Sequence, residues 1–371
     1  MKAEFWSGRR VLITGHTGFK GGWLSLWLQR AGADVTGYAL EPPTRPSLFD
    51  TARVADGMRS YQGDVRDLAM VERVVRENTP AVLIHMAAQS VVRRSYREPV
   101  ETYSANVMGT VNVLEAVRGN EMPCAVVIVT SDKCYDPQSD AGVRPPHNES
   151  APLGGHDPYS NSKACAELVA AAYRDSYFPP ERLSDHGIGV ATVRAGNAIG
   201  GGDWTEDQLI PDLVRAAQAG RPALLRNPAA VRPWQFVLEP LRGYLQVAER
   251  LAAGDPNAAT SWNFGPAPAS RPVGWIADRF ATLWGEGVGW DRDPNHIHPA
   301  ETHSLRLDSS KARDELGWTP VVSLDTALEW IVEWYRDAHR GVDAAELTLR
   351  DIQRYTALLP VAELQHLPAA I

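Results

Sequence analysis

The stretch RVLITGHTGFKGGWL, Arg10 to Leu24, sets the fold. Its first five residues are an apolar, β-branched run of strand length, and after the glycines a helical pattern continues as Gly22-Trp23-Leu24-Ser25-Leu26-Trp27-Leu28-Gln29-Arg30. In a strand, glycine turn and helix, the amides of the helix start meet a pyrophosphate, while glycines permit the tight turn and the close backbone approach. Gly15, Gly18 and Gly21, spaced GxxGxxG, are therefore read as a dinucleotide cradle, with Thr17, Phe19 and Lys20 counted in it.

Outward from this turn the same alternation repeats. Gly32 stops the helix, and Asp34 to Leu40 can form the next strand. SYQGDV, AVLIHMAA, CAVVIVTS and GIGVATVRAG read as further strands, separated by helical patterns such as DLAMVERVVRE. Alternation of this kind predicts an α/β fold, a Rossmann-like doubly wound parallel sheet with right-handed crossovers. After Asn197 the texture changes to Gly200-Gly201-Gly202 and scattered Pro and Trp, as suits a smaller, mainly helical lobe for substrate. Helices are expected at 208–219, 237–253 and 324–340, a short buried strand at 262–265, and a helical tail beyond about 343. The expected division is a dinucleotide-binding domain of 1–196, with 231–262 returning to it, and a substrate lobe of 197–230 and 263–371.

Composition narrows the partners. The chain has 371 residues, 44% hydrophobic and 22% charged, which excludes a disordered or coiled-coil chain. A net charge of -8 argues against nucleic acid, so any bound anion must be held locally. Cys124, Cys134 and Cys165 lack metal-site or disulfide spacing, so no metal is expected. MKAEFWSGRR has no signal-peptide core, and no apolar run approaches the roughly 20 residues of a spanning helix. The expectation is a cytoplasmic protein that does not engage a membrane.

An acidic residue for the adenosine ribose is absent near Tyr38 and Ala39, and no Arg stands at that strand end for a 2′-phosphate, although Arg45 follows. The reading leans to NAD. Asp64-Val65 after a strand suits adenine, though Asp64 can equally cap a helix. Ala87, Ala88 and Gln89 let small residues pass beside the cofactor. Tyr159-Ser160-Asn161-Ser162-Lys163 is a YxxxK motif; on a helix the ammonium lies near the phenol, and with a cationic nicotinamide it would draw a phenol of reference pKa about 10 downward.

Together with HMAAQ at 85–89, the Asn106-Val107-Met108-Gly109-Thr110 segment, Ser131, VRAGN at 193–197 and LDSSKARDELGW at 307–318, the chain resembles extended short-chain dehydrogenase/reductases that act on nucleotide sugars. Asp-Lys in Ser131-Asp132-Lys133-Cys134-Tyr135 departs from the Asp-Glu of most 4,6-dehydratases of the family. It resembles the CDP-glucose 4,6-dehydratases, as do TGHTGFKGGWL, EPPTRPSLF at 41–49 and GNAIGGGDW at 196–204. The resemblance implies Tyr159 as base at the sugar 4-hydroxyl, Ser131 bonded to that oxygen, and Lys163 holding ribose and phenolate. Asn106 joins the cofactor residues. Asp132 becomes the acid at C6 and Lys133 the candidate base at C5, a role that needs its pKa lowered by burial or neighbouring charge.

It also implies a nucleotide-sugar substrate, CDP-glucose, with Arg232 on the diphosphate, Trp234 beside it, and Asn197, Gln208 and Leu209 lining the diphosphate and base region. Arg93 and Lys20 are further candidate cations. A homodimer or pair of dimers is expected through helices near 100–118 and 159–175. Two rival readings are a nucleotide-sugar 4-epimerase, which needs no acid for water loss, and a dinucleotide-sensing regulatory protein that has lost chemistry.

Overall fold

The computed structural model describes residues 3–137, 145–266, 270–285, 287–294 and 306–360. Seven strands, β1 (Arg10–Thr14), β2 (Asp34–Ala39), β3 (Arg59–Gln62), β4 (Val82–His85), β5 (Cys124–Val129), β6 (Ile188–Ala195) and β7 (Ser261–Phe264), form one sheet in the order β3-β2-β1-β4-β5-β6-β7. Every neighbouring pair in it is parallel. VLIH and CAVVIV are buried at every position because helices cover both faces of the sheet.

The longer helices are α1 (Phe19–Arg30), α2 (Leu68–Asn78), α3 (Gly109–Asn120), α4 (Pro158–Ser176), α5 (Leu209–Gln218), α6 (Leu238–Ala252), α7 (Val273–Trp284), α8 (Leu324–His339) and α9 (Ala344–Ala357). Side chains alternate across the strands. Val11 and Ile13 of β1 enter a core shared with α1, α6 and the carboxyl-terminal helices, whereas Leu12 enters the opposite core with Val71 and Val74 of α2 and Val113 and Leu114 of α3.

The helices expected at 208–219, 237–253, 324–340 and beyond 343 are present as α5, α6, α8 and α9. The strand expected at 262–265 is β7, and it pairs with β6, carrying this late segment into the main sheet. Helix α7 lies where the sequence shows only short periodic pieces; Ile276, Ala277 and Phe280 on one side of it are buried. Among the described residues no helix is long and apolar enough to cross a membrane, and no His/Cys/Asp/Glu group could hold a metal ion.

Strand β1 lies between β2 and β4, so the chain order reverses there and a crevice opens at the carboxyl ends of β1 and β4. Thr14 closes its floor. Its Oγ1 accepts the amides of Met86 and Ala87 at 3.1 and 3.2 Å and lies 2.7 Å from Nδ1 of His85.

Candidate active site at the strand ends

The glycines of the first turn serve different ends. Gly15 has φ +78, and a Cβ there would lie 2.7 Å from the Ala87 nitrogen; a Cβ on Gly21 would lie 2.2 Å from the Gly15 carbonyl oxygen. Both are dictated by packing. Gly18, the N-cap of α1, has φ -78, and a Cβ would meet only the Gly15 oxygen, at 3.4 Å. Open space therefore lies beside it at the amino end of a twelve-residue helix whose first turn carries no acid and one cation, Lys20. In shape and charge that end could hold a phosphate. Thr17 donates to the Leu40 carbonyl at 2.9 Å, closing the turn onto the end of β2. His16 fills the space over β2: a Cβ on Gly37 would lie 2.3 Å from its ring, and burial pushes its pKa down to about 4.

Asp64 does not cap a helix. Its Oδ1 accepts the Arg66 amide at 2.9 Å and its carboxylate pairs with the Arg66 guanidinium, while Asp67 caps α2 by accepting from Met70. Val65 packs against Gly109, and its carbonyl accepts from Asn112 at 2.9 Å. After β4, Ala87, Ala88 and Gln89 are held by Asn106, which accepts the Gln89 amide at 2.8 Å and donates to its carbonyl at 3.0 Å and to Ser162 at 2.8 Å. Asn106 lies in a π-helical turn, Ser104–Met108, ahead of α3. Such bulges frequently mark functional sites.

Helix α4 brings the YxxxK pair to the end of β5. Asp157 caps it by accepting the Ser160 amide at 2.9 Å, and Pro158 opens its first turn. Tyr159 and Lys163 are both buried, and Lys163 Nζ donates to the Val129 carbonyl at 3.1 Å. Burial, and then the charge of Lys20, bring Lys163 down to about 7. The lowering expected of the Tyr159 phenol includes a cationic nicotinamide; among protein groups alone burial, helped by the Asp132 and Asp157 carboxylates, drives it well above its usual range, against a hydrogen bond with Ser131.

Beside it stands the acid. Ser131 opens a short turn, Asp132–Cys134; its hydroxyl donates to Asp132 Oδ1 at 3.1 Å and accepts the Lys133 amide at 3.2 Å. Asp132 is 3% exposed, and among the described residues its Oδ2 has no hydrogen-bond partner. Burial raises its pKa to about 6, against the charges of Lys133 and Arg232 and the Ser131 bond. Lys20 is itself lowered by burial and held up by Asp132. Ser131, Asp132, Tyr159, Lys163, Lys20 and Arg232 thus converge on one place, with Lys133 half-buried at its edge.

The outer residues are more dispersed. Arg232 is buried, with Nη1 donating to the Val231 carbonyl at 3.1 Å. Trp234 is buried and donates to the Arg271 carbonyl at 3.1 Å, and the Asn197 carbonyl accepts the Gln235 amide at 3.0 Å. Gln208 is the N-cap of α5 and Leu209 its first residue. Arg93 is engaged by Asp207 at 2.9 Å, which also takes Arg226 at 3.4 Å, so its charge is partly spent.

Motif reading missed the scaffold behind the turn. Glu167 and Arg194 form a buried ion pair at 2.7 Å. Glu167 accepts from Thr130 and, at 2.7 Å, from Thr192; Arg194 donates at 2.8 Å to the Tyr135 hydroxyl, which donates to Asn263 at 2.7 Å. The one signal in the sequence was spacing: Glu167 follows Lys163 by four residues, on the same face of α4.

These features define a nucleotide-sugar dehydratase of the short-chain dehydrogenase/reductase type, and residues 12–265 match the family described as GDP-mannose 4,6 dehydratase, to which the chain belongs. Among its relatives is the CDP-glucose 4,6-dehydratase of Salmonella typhimurium strain LT2, 50% identical over 354 residues that cover 95% of this chain and 97% of that protein. A dTDP-glucose 4,6-dehydratase of Xanthomonas campestris is 27% identical over 87% of this chain and 92% of its own. The structure of a dTDP-glucose 4,6-dehydratase of Streptomyces venezuelae, with NAD and TYD bound, superposes with a TM-score of 0.71 at 27% identity, covering 91% and 99% of the two chains. The fold is shared with the UDP-glucose 4-epimerase of Thermus thermophilus, TM-score 0.75 at 24% identity over 89% and 99%.

Proposed function

We propose that the protein converts CDP-D-glucose to CDP-4-keto-6-deoxy-D-glucose and water, with NAD held throughout. Asp132 carries the reading: a buried carboxyl raised to about 6, bonded to Ser131 and facing Tyr159, is an acid placed for water loss, for which a 4-epimerase has no use. The 50% identical relative supports the choice of substrate.

Gly15, Thr17, Gly18, Phe19, Lys20 and Gly21 would hold the cofactor diphosphate, Asp64 and Val65 the adenine end, and Ala87, Ala88, Gln89, Asn106, Tyr159 and Lys163 the nicotinamide half. The open space at Gly18 and the cation in the first turn of α1 fit that group. When bound, NAD supplies a hydride acceptor for C4 and a hydride donor for C6. Protein groups do the rest. Tyr159, as phenolate beside a protonated Lys163 and a cationic ring, takes the 4-hydroxyl proton while Ser131 bonds the same oxygen. The 4-ketone acidifies the C5 proton, which Lys133 removes, and Asp132 protonates the departing C6 hydroxyl. Lys133 then returns its proton to C5. The proton gained by Tyr159 balances the one lost by Asp132, and because C6 would take back the hydride given up at C4, the cycle needs no second redox substrate.

Arg232, with Trp234, Asn197, Gln208, Leu209 and Arg93 around it, is assigned to the nucleotide sugar, its planar guanidinium suiting a diphosphate. The dinucleotide half comprises 1–196 and 231–262, the substrate lobe 197–230 and 263–371. Exposed Val100, Met108 and Leu168, on or beside α3 and α4, support a homodimer or pair of dimers through those helices. The cysteines Cys124, Cys134 and Cys165 are all free, in keeping with action in the cytoplasm.

Incubation with CDP-glucose and NAD tests this. Loss of one water with keto-sugar absorbance is the expected result; a galactose epimer or no turnover overturns it, and parallel reactions with dTDP-glucose and GDP-mannose read the base preference.

A further inference from the structure

A chain of hydrogen bonds roots Arg93 beside the reacting groups. Asn106 donates both to Ser162, which lies between Tyr159 and Lys163 on α4, and to the Gln89 carbonyl. The Gln89 side chain in turn holds Val91, accepting its amide at 2.7 Å and donating to its carbonyl at 3.1 Å. Val91 is the N-cap of the short helix Val92–Arg97, so Arg93 starts from the rim of the crevice. Its guanidinium makes one hydrogen bond among the described residues, from Nη1 to Asp207 Oδ1 at 2.9 Å.

Asp207 directly precedes Gln208 and Leu209, which open α5, and has φ +60. Left-handed backbone accounts for an Asp or an Asn there, since both tolerate it better than other side chains. The charge has a different cause. Arg226 donates through Nη2 to the Asp207 carbonyl at 3.2 Å and through Nη1 to Oδ1 at 3.4 Å, so one guanidinium grips both main chain and carboxylate. Arg93 holds the carboxylate alone, at the oxygen it shares with Arg226. All three side chains are partly exposed, so a ligand in solution can reach the pair.

Resting on the assignment of Arg93 to the nucleotide sugar, we propose that Asp207 is a placeholder counterion that sets the affinity for substrate. The diphosphate displaces its carboxylate from Arg93, and Arg226 keeps the released carboxylate paired. Asp207 gives Arg93 one oxygen, whereas a diphosphate can fill the bidentate fork of the guanidinium. Substrate must break the ion pair in order to bind, and the pair stays broken through the reaction. Ground state and transition state are therefore opposed equally, which places the effect on KM and leaves kcat alone.

Asp207→Asn tests the exchange, because it removes the charge and keeps a side chain suited to the backbone. With NAD present, KM for CDP-glucose should fall about two- to fivefold at unchanged kcat, as suits loss of one partly exposed ion pair. The dissociation constant of CDP, read by isothermal titration calorimetry, should fall by the same factor. A merely structural contact predicts a KM that holds or rises, and either result overturns the role. Arg93→Gln supplies the second half of the test: it should raise KM, and adding Asp207→Asn to it should bring no further gain. A KM unmoved by Arg93→Gln, or a gain from Asp207→Asn that persists without Arg93, overturns the exchange. Should the Asn variant fail to fold, Asp207→Gly, which also accepts φ +60, is measured in the same way. If the wild-type protein releases no water from CDP-glucose, the dehydratase reading itself has failed; if it does and Asp207→Asn matches it in KM, only the Asp207 role has.

Discussion

Ser131 donates to Asp132 Oδ1 at 3.1 Å and is hydrogen-bonded to the Tyr159 phenol, so one hydroxyl touches both the group we assign to take a proton at C4 and the group we assign to give one at C6. Oxidation and elimination are joined at a single side chain, which constrains how each can be disturbed alone.

Asp132→Asn keeps shape and removes the acid. C4 oxidation should persist and elimination should fall by about 10²- to 10⁴-fold, read as accumulated reduced nicotinamide without keto-deoxy sugar. The folded protein holds the Asp132 proton up to about pH 6, against an ordinary 3.8, so this group's contribution to stability is present at low pH and lost as pH rises through 6. The Asn variant should be the more stable protein at pH 8, by about 3 kcal/mol from roughly two pH units, with the gap closing towards pH 4 in urea titrations.

Lys133→Ala should abolish release of water while leaving C4 oxidation measurable. In deuterated water the wild-type product is expected to carry deuterium at C5, and loss of that label in the variant assigns the base. Undiminished labelling with normal turnover would refute the role.

The glycines separate by function. Gly18→Ala should leave the melting temperature unchanged, because its Cβ meets only one oxygen at 3.4 Å, yet weaken NAD at least about tenfold by filling the cradle. Gly15→Ala, at φ +78 and 2.7 Å from the Ala87 nitrogen, should cost more than about 1 kcal/mol of folding stability before any ligand is added. Calorimetry and isothermal titration read the two effects.

Glu167→Gln should destabilise the protein by about 3–5 kcal/mol in denaturant titration, because Arg194 keeps its charge in a buried place without its counterion. Turnover should fall as well, since Thr130, directly before Ser131, loses its ionic acceptor.

The sheet was legible because β4, β5 and β6 are buried on both faces and so read as largely apolar runs, and because the glycine turn fixes where the first helix begins. Tyr159 and Lys163 were legible for a related reason: both lie on α4, and helical spacing alone brings them together. Residues joined only by folding were invisible. Asn263 pairs with Tyr135 across 128 residues, a separation that no periodicity encodes. The π-helical turn holding Asn106 was hidden too, because it changes the hydrogen-bond step without changing the polarity pattern. The desolvation of the Tyr159 phenol was hidden as well, because motif spacing reveals the neighbouring ammonium and nothing of burial.

Thr130 on one side and Tyr135 on the other tie the segment between them to the same Glu167–Arg194 pair, itself lodged between α4 and β6. A loop clamped at both feet keeps its shape: Ser131, Asp132 and Lys133 ride as one unit on the buried pair, so loosening either foot disturbs all three together.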